Sequence, residues 1–384
     1  MIQTSISSHD NGRVQAEVSL FTPSSGVKEM HACFHLQPGL PFETSWAALQ
    51  DAVRELTSTA PHGPYRVVWQ RLFLSDAPNQ LPFTTVGIQT HGACSIIGQC
   101  PLNNGKVALW LYAVEAKEAE DIKEQSDETI WTHNGRKHIW SANGERKNGT
   151  SHEQTHEIMQ QYMERLDSHK ANLKDNCIRT WFYVRDIDLH YSGLVKARKA
   201  LFEANGLTPT THFIASTGIE GKGTDIHALV HLDAYAITGL QSGQVSYLHA
   251  PTHLNPTHEY GVTFERGTAV AYGDRTHLFI SGTASINNKG EIVHPYHVAE
   301  QTARMWENVQ ALLTEGGAET QDIVQATVYL RDTSDYTTVH SWLKTKLPHT
   351  PMVFVQAPVC RPGWLVEMEC IAITDTRHDG LNAY

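Results

Sequence analysis

Short apolar runs alternate with helical stripes along this chain, and they recur in the same order. In the middle third, residues 137–144 read as a strand running into small residues. A helix follows at 152–166, with Ile158, Tyr162 and Leu166 on one face. Next come a strand at 179–186, a helix at 194–205, and closing strands at 211–219 and 227–237. The C-terminal third repeats this plan: a strand at 277–284, a helix at 299–313 striped by Met305, Val309 and Leu313, a strand at 326–332, a helix at 336–346, and strands at 352–358 and 364–373. Both long helices carry Glu-Gln-Thr near their start, at 153–155 and 300–302. The first third reads as a divergent copy. It has strands at 13–21, 29–36, 65–76 and 107–114, a helix at 42–56 (Trp46, Leu49, Val53, Leu56), and a second helix that is missing or short. Repeats of roughly 110–130 residues are too long for a solenoid, so each copy is expected to be a small α+β module. The modules are expected at 1–118, 129–242 and 255–384, joined by a charged linker at 115–128 and a Gly-, Pro-, Ser- and His-rich one at 240–256.

Composition narrows the function classes. The chain has 384 residues, 40% of them hydrophobic and 18% charged, as expected of a globular protein. A net charge of −11 argues against general nucleic-acid binding and means that an anionic substrate needs local arginines. There is no apolar run of ~18 residues for a membrane span, and no basic start followed by an apolar block for a secretory leader. The six cysteines (33, 94, 100, 177, 360 and 370) form no CxxC pair, which suits reduced thiols in a cytoplasm.

The richest stretch chemically is 357–370. Alternation puts Glu367 and Glu369 on one strand face and Val366 and Met368 on the other. A carboxylate in an otherwise apolar strand costs several kcal/mol unless paired or solvated. Arg361 and Cys360 precede it at a turn, so acid, cation and thiol are offered by one strand-turn unit. The plain alternative is an edge strand with a glutamate facing water. A second motif, His152-Glu-Gln-Thr-His156, fits the H-E-x-x-H zinc pattern. The matching helix keeps Glu-Gln-Thr but has Ala299 and Ala303 in place of the histidines, so no metal is expected; Glu153 is read as a carboxylate favoured near a helix start.

With these residues in view, the C-terminal module resembles the Rid (YjgF) family: Ile280-Ser-Gly-Thr, a long helix, Val328-Tyr-Leu-Arg-Asp and Val366-Glu-Met-Glu-Cys-Ile-Ala-Ile. That resemblance implies a chorismate-mutase-like α+β fold that forms trimers with sites in clefts between subunits. Three copies in one chain then imply an intramolecular pseudo-trimer, self-contained and possible as a monomer. The family's imine deaminases hold the substrate carboxylate with an arginine on the penultimate strand. Here the aligned positions are Met352, Ser216 and Cys94, which disfavours imine deamination.

From residue 130 onward the chain is also similar to the chorismatases, relatives that act on chorismate. The matching pieces are 179–183, 215–219, 260–266, 278–286 and 365–369; the first module is a departure from that pattern. The resemblance implies that Glu367 is the catalytic acid, and that Cys360, at the subtype-marking position, points to 3-hydroxybenzoate. A glutamic acid kept neutral by burial suits protonation of an enolpyruvyl group. Glu369 is read as structural, or as a second charge that raises the acid further. By alignment the middle module has His231 at the acid position and the first has Leu109, so one working cleft is expected. Arg266, Arg179 and Arg361 are the candidates for the substrate's carboxylates, with Tyr260, Ser216 and Thr217 as polar contacts. No cofactor, nucleic acid or membrane partner is expected. Two other readings stay open: a Rid-type enzyme acting on another imine, enamine or small carbonyl compound, and a non-catalytic binding protein for aromatic acids.

Overall fold

A computed structural model describes residues 2–24, 26–58, 64–84, 92–118, 121–125 and 127–384. The first unit runs β1 (Ile2–His9), β2 (Val14–Phe21), β3 (Glu29–Leu36), α1 (Phe42–Ser58), β4 (Tyr65–Leu74), α2 (Ala77–Thr84), β5 (Ala93–Ile97) and β6 (Val107–Glu115). The second runs β7 (Ile122–Gln125), β8 (Glu128–His133), β9 (Arg136–Glu145), α3 (Ser151–Ser168), the single turn α4 (Leu173–Asn176), β10 (Cys177–Val184), α5 (Ile187–Ala204), β11 (Ala215–Glu220) and β12 (Val230–Thr238). The third runs β13 (Val245–Leu248), β14 (Gly267–Tyr272), β15 (Arg275–Ala284), α6 (Val298–Glu315), β16 (Ile323–Leu330), α7 (Tyr336–Lys346), β17 (Met352–Gln356) and β18 (Val366–Thr374).

Each unit builds a six-stranded sheet with one strand order: β1-β2-β3-β6-β4-β5, β7-β8-β9-β12-β10-β11 and β13-β14-β15-β18-β16-β17. The fold is therefore α+β, three tandem Rid/YjgF-like modules in an intramolecular pseudo-trimer. In each sheet only the last edge pair is parallel among the three pairs formed by the last four strands, because a helix crosses over between those two strands. Both stretches read as linkers contain an edge strand, β7 and β13, short enough to escape a periodicity argument. The second helix of the first unit is the eight-residue α2, with Pro82 inside it.

Local chemistry explains the element ends. Thr150 and Glu153 form a capping box at the start of α3: the Thr150 amide donates to the Glu153 carboxylate at 2.7 Å, and the Glu153 amide to Thr150 Oγ1 at 3.3 Å. The glutamate of the zinc-like motif is thus occupied in holding a helix end, while His152 is exposed and His156 half-buried. Among the described residues no group of three or more metal-ligating side chains is arranged to hold an ion. Nor is any helix among them long and apolar enough to cross a membrane.

Single backbone bridges join the sheets pairwise: Gly98 to Lys222, Ile219 to Val359 and Pro101 to Val355. Where the units meet, Trp69, Trp110 and Trp181 surround Arg71, whose guanidinium carbon lies 4.7 Å from the Trp181 ring centre, and Trp140 packs on Trp69 and Trp181. Arg71 is fully buried and pairs with Asp233 of the second unit at 3.2 Å and with Glu369 of the third at 3.6 Å. Charges from all three units thus meet at a common centre.

Candidate active site

The pairing registers fix which residues are equivalent in the three units. Val107, Val230 and Val366 lie opposite Leu74, Val184 and Leu330, each two residues before the aspartate that ends its segment. The next positions are Ala108, His231 and Glu367. The first unit's counterpart of Glu367 is therefore Ala108, not Leu109, because the strand ends one residue nearer the turn than the alignment placed it. The same counting puts Cys94, Ser216 and Met352 at one level of the penultimate strand, as expected from the sequence.

Glu367 lines a cavity of about 400 Å³ between the second and third units. α5 supplies Tyr191, Val195 and Arg198, and β11 supplies Ser216 and Gly218. The segment before β14 supplies Tyr260, Val262, Phe264 and Arg266, and the turn before β18 gives Cys360, Arg361 and Trp364. Strand alternation sends Val366 and Met368 into the apolar core and leaves Glu367 on the cleft side. Gly282 makes room for the acid: a β-carbon built there would collide with Glu367 Oε1.

Burial pushes the Glu367 carboxyl up to about 8, and the neighbouring Glu369 adds to the rise; Arg179 and Arg266 oppose it. The group is thus a neutral acid at neutral pH, the state a proton donor needs. Burial, together with Glu367, also pushes the Cys360 thiol up to about 12, so it acts as a small neutral wall and not as a thiolate.

Two guanidinium groups flank one ring. Arg266 and Arg361 have their central carbons 5.3 and 4.9 Å from the Tyr260 ring centre. Arg266 donates to the Asn255 backbone oxygen at 3.1 Å and to its side-chain oxygen at 3.2 Å, leaving Nε without a partner among the described residues. Arg361 reaches the Tyr260 carbonyl at 3.5 Å and stacks on Trp364 at 5.1 Å.

Arg179 and Thr217 do not line the cavity. Arg179 donates to Glu369 at 2.7 Å, and Thr217 bonds both of them. Trp181 Nε1 gives Glu369 a further bond at 2.9 Å. A buried carboxylate must be paired, and Glu369 takes the arginine that the sequence offered to substrate. Glu369 is thereby structural and also a charge that lifts its neighbour. Sequence reasoning missed Arg198, a buried arginine on the cleft side of α5. Its only signal was a basic residue on the buried stripe that carries Leu194, Ala197, Leu201 and Phe202.

The family described as Endoribonuclease L-PSP matches residues 267–374. A RutC family protein of Pyrococcus abyssi is 36% identical over 98 residues, covering 25% of this chain and 76% of that protein. The 3-aminoacrylate deaminase RutC of Acinetobacter baylyi is 25% identical over 97 residues, covering 25% of this chain and 77% of that enzyme. A crystal structure of a chorismatase superposes with a TM-score of 0.62 at 18% identity, over 80% of this chain and 93% of that one. Four fifths of the chain is more than the second and third units hold together, so the likeness in fold reaches into the first.

Proposed function

The chain belongs to the RutC family through its third unit, and on that premise we propose that the cleft between the second and third units converts chorismate to pyruvate and a hydroxybenzoate, 3-hydroxybenzoate. The observation that carries this reading is Glu367: a buried carboxylic acid held neutral to about pH 8, facing a cavity that also presents fixed cations. A neutral acid among cations is the pairing that an anionic enol ether requires, since the substrate must be held by its charge and given a proton.

In the proposed reaction Glu367 protonates the methylene carbon of the enolpyruvyl group. The resulting cationic carbon weakens the ether bond to the ring, and the adjacent ring hydroxyl displaces pyruvate from that ring carbon, returning its proton to Glu367. The epoxide so formed opens at the hydroxyl's original carbon–oxygen bond as the ring loses a proton, leaving an aromatic ring with its oxygen at position 3. Pyruvate and 3-hydroxybenzoate together contain all the atoms of chorismate, so no co-reactant is consumed. Arg266, beside the acid, holds the enolpyruvyl carboxylate; Tyr260 keeps Arg266 and Arg361 in place through its ring. Cys360 lies near enough to Glu367 for the carboxyl to raise its thiol, and as a neutral thiol it shapes the ring's side of the cavity. Likeness in fold to a chorismatase over most of both chains supports the reading.

The test is to incubate the protein with chorismate and follow pyruvate. Release that exceeds that of Glu367→Gln is expected, and none above that variant ends the proposal. The similarity to a 3-aminoacrylate deaminase favours a second reading, an enzyme of imines or enamines using the same cleft. Ammonia release from imines generated by amino-acid oxidation, without pyruvate from chorismate, would establish it. Against it, the strand position given to a carboxylate-holding arginine in the resembling deaminases is Met352, Ser216 and Cys94 in the three units.

A further inference from the structure

We propose that Arg198 is a second anion receptor in this cleft, so that the site takes a small cyclic substrate carrying two separate acidic groups. One group lies on Arg266 beside the acid; the other lies on Arg198 across the cavity. The inference rests on reading the cleft as a ligand site and deepens the proposed function by assigning the second charge.

Six arginines are nearly inaccessible to solvent: Arg71, Arg136, Arg179, Arg198, Arg266 and Arg275. Arg71, Arg179 and Arg275 each have a carboxylate partner. Arg136 donates to the backbone oxygen of Ala383. The remaining two, Arg198 and Arg266, have no carboxylate among the described residues, and both line this cavity. Arg198 is the less satisfied. Its Nη1 donates to Ser216 Oγ at 3.4 Å and its guanidinium interacts with the Tyr191 hydroxyl, but both partners are neutral, and its Nε and Nη2 have no well-aligned hydrogen bond among the described residues. The guanidinium carbon is 5.6 Å from the Phe182 ring centre, a cation–π contact that supplies no anion. A buried guanidinium left in this state is costly unless an anion arrives.

The repeat shows what such a cation does when no ligand is intended. Arg198 lies twelve residues after Asp186, and Lys344 lies twelve after Asp332, so the two occupy one position on equivalent helices. Lys344 lines a smaller cavity of about 160 Å³ between the third and first units. There it binds Glu17 at 2.7 Å. By strand register Glu17 is the counterpart of Arg266: Val18 and Gly267 are equivalent, paired through Ala32 to Leu111 and through Ile280 to Cys370. One cleft thus supplies its own anion at the place where the other supplies a second cation.

The two receptors share one neighbour, Tyr260, which interacts with both guanidinium groups. The Glu367 carboxyl responds to Glu369, Arg179 and Arg266. Arg198 instead acts on Tyr191 and Cys360. Val195, Val262, Ile286 and Trp364 line the space around these groups, which suits a ring.

Calorimetric titration with isophthalate, which carries two carboxylates on one ring, and with benzoate, which carries one, tests this directly. The wild-type protein is expected to bind isophthalate about tenfold or more tightly than benzoate. Arg198→Met is expected to erase that preference while leaving benzoate binding nearly unchanged, and Arg198→Lys to restore part of it. A melting temperature at or above wild type for Arg198→Met is also expected, since an unpaired buried charge has gone. Equal binding of the two acids by wild type, or an isophthalate preference that survives Arg198→Met, overturns the proposal. Discrimination between the acids without pyruvate release from chorismate would remove only the assigned reaction and support this inference. Pyruvate release with no discrimination would do the reverse.

Discussion

Two clefts of this molecule were made from the same plan and now hold opposite chemistry. Between the third and first units, Lys344 and Glu17 close on each other, and Glu17 also accepts the Met352 amide at 3.0 Å. His35 and Lys344 together outweigh burial and hold the Glu17 carboxyl down at about 2. Between the second and third units the same two positions are Arg198 and Arg266, and the neighbouring strand offers a neutral glutamic acid. A cleft that satisfies itself is architecture; one that leaves cations unsatisfied beside a proton donor is a site. The first–second contact shows a third solution, in which His231 stands at the acid's position between Glu145 at 2.8 Å and Asp233 at 3.0 Å. These carboxylates push the imidazole up to about 9, against burial, so a permanent cation fills that contact.

The comparison is broken most severely at the acid. Glu367→Gln is expected to lower pyruvate release from chorismate by about 10²–10⁴-fold, the usual worth of positioned proton transfer, with the fold intact by circular dichroism. The same pair of proteins sharpens the electrostatics. A carboxyl at about 8 in the folded state and near 4.5 unfolded keeps its proton on folding between those values. Stability is then unaffected below the lower value and falls as pH rises through the window. Urea unfolding of wild type is expected to lose roughly 2–3 kcal/mol more than Glu367→Gln between pH 5 and 7. In the self-satisfied cleft, Lys344→Met takes the ammonium from Glu17, with His35 still 3.5 Å away, and is expected to cost about 2–3 kcal/mol of stability while leaving turnover unchanged. Smallest in stability is Gly282→Ala, at about 1–3 kcal/mol for a crowded β-carbon. Its larger signature is loss of activity, because the group displaced is the acid.

The sequence carried the repeat, the sheet strands and the acid because all three leave periodic traces. Apolar alternation marked β3 and β18, and the stripes of α3 and α6 were found on the residues that are buried. The two linker strands escaped because four residues at a sheet edge are too few to show a period. Arg179 was assigned to substrate because sequence shows that a cation is near, not which carboxylate claims it; Glu369, twin to Glu367 on the same face, took it. Arg71 went unread for a related reason. Its partners, Asp233 and Glu369, lie more than 160 residues away and belong to other units. Arg198 was hidden by its helix, where one basic residue on an apolar stripe looks like any snorkelling side chain.

The charges at the common centre set a rule for assembly. Arg71, Trp181 and Thr327 occupy one register position, and Trp110, Asp233 and Glu369 lie opposite them. A ring of three identical modules would bring three arginines together, or three carboxylates, in the driest part of the molecule. The centre closes only when each module is different and in its own seat. Fusion into one polypeptide therefore does more than tether the parts. It guarantees the stoichiometry that an asymmetric keystone demands, and it lets each seam evolve on its own.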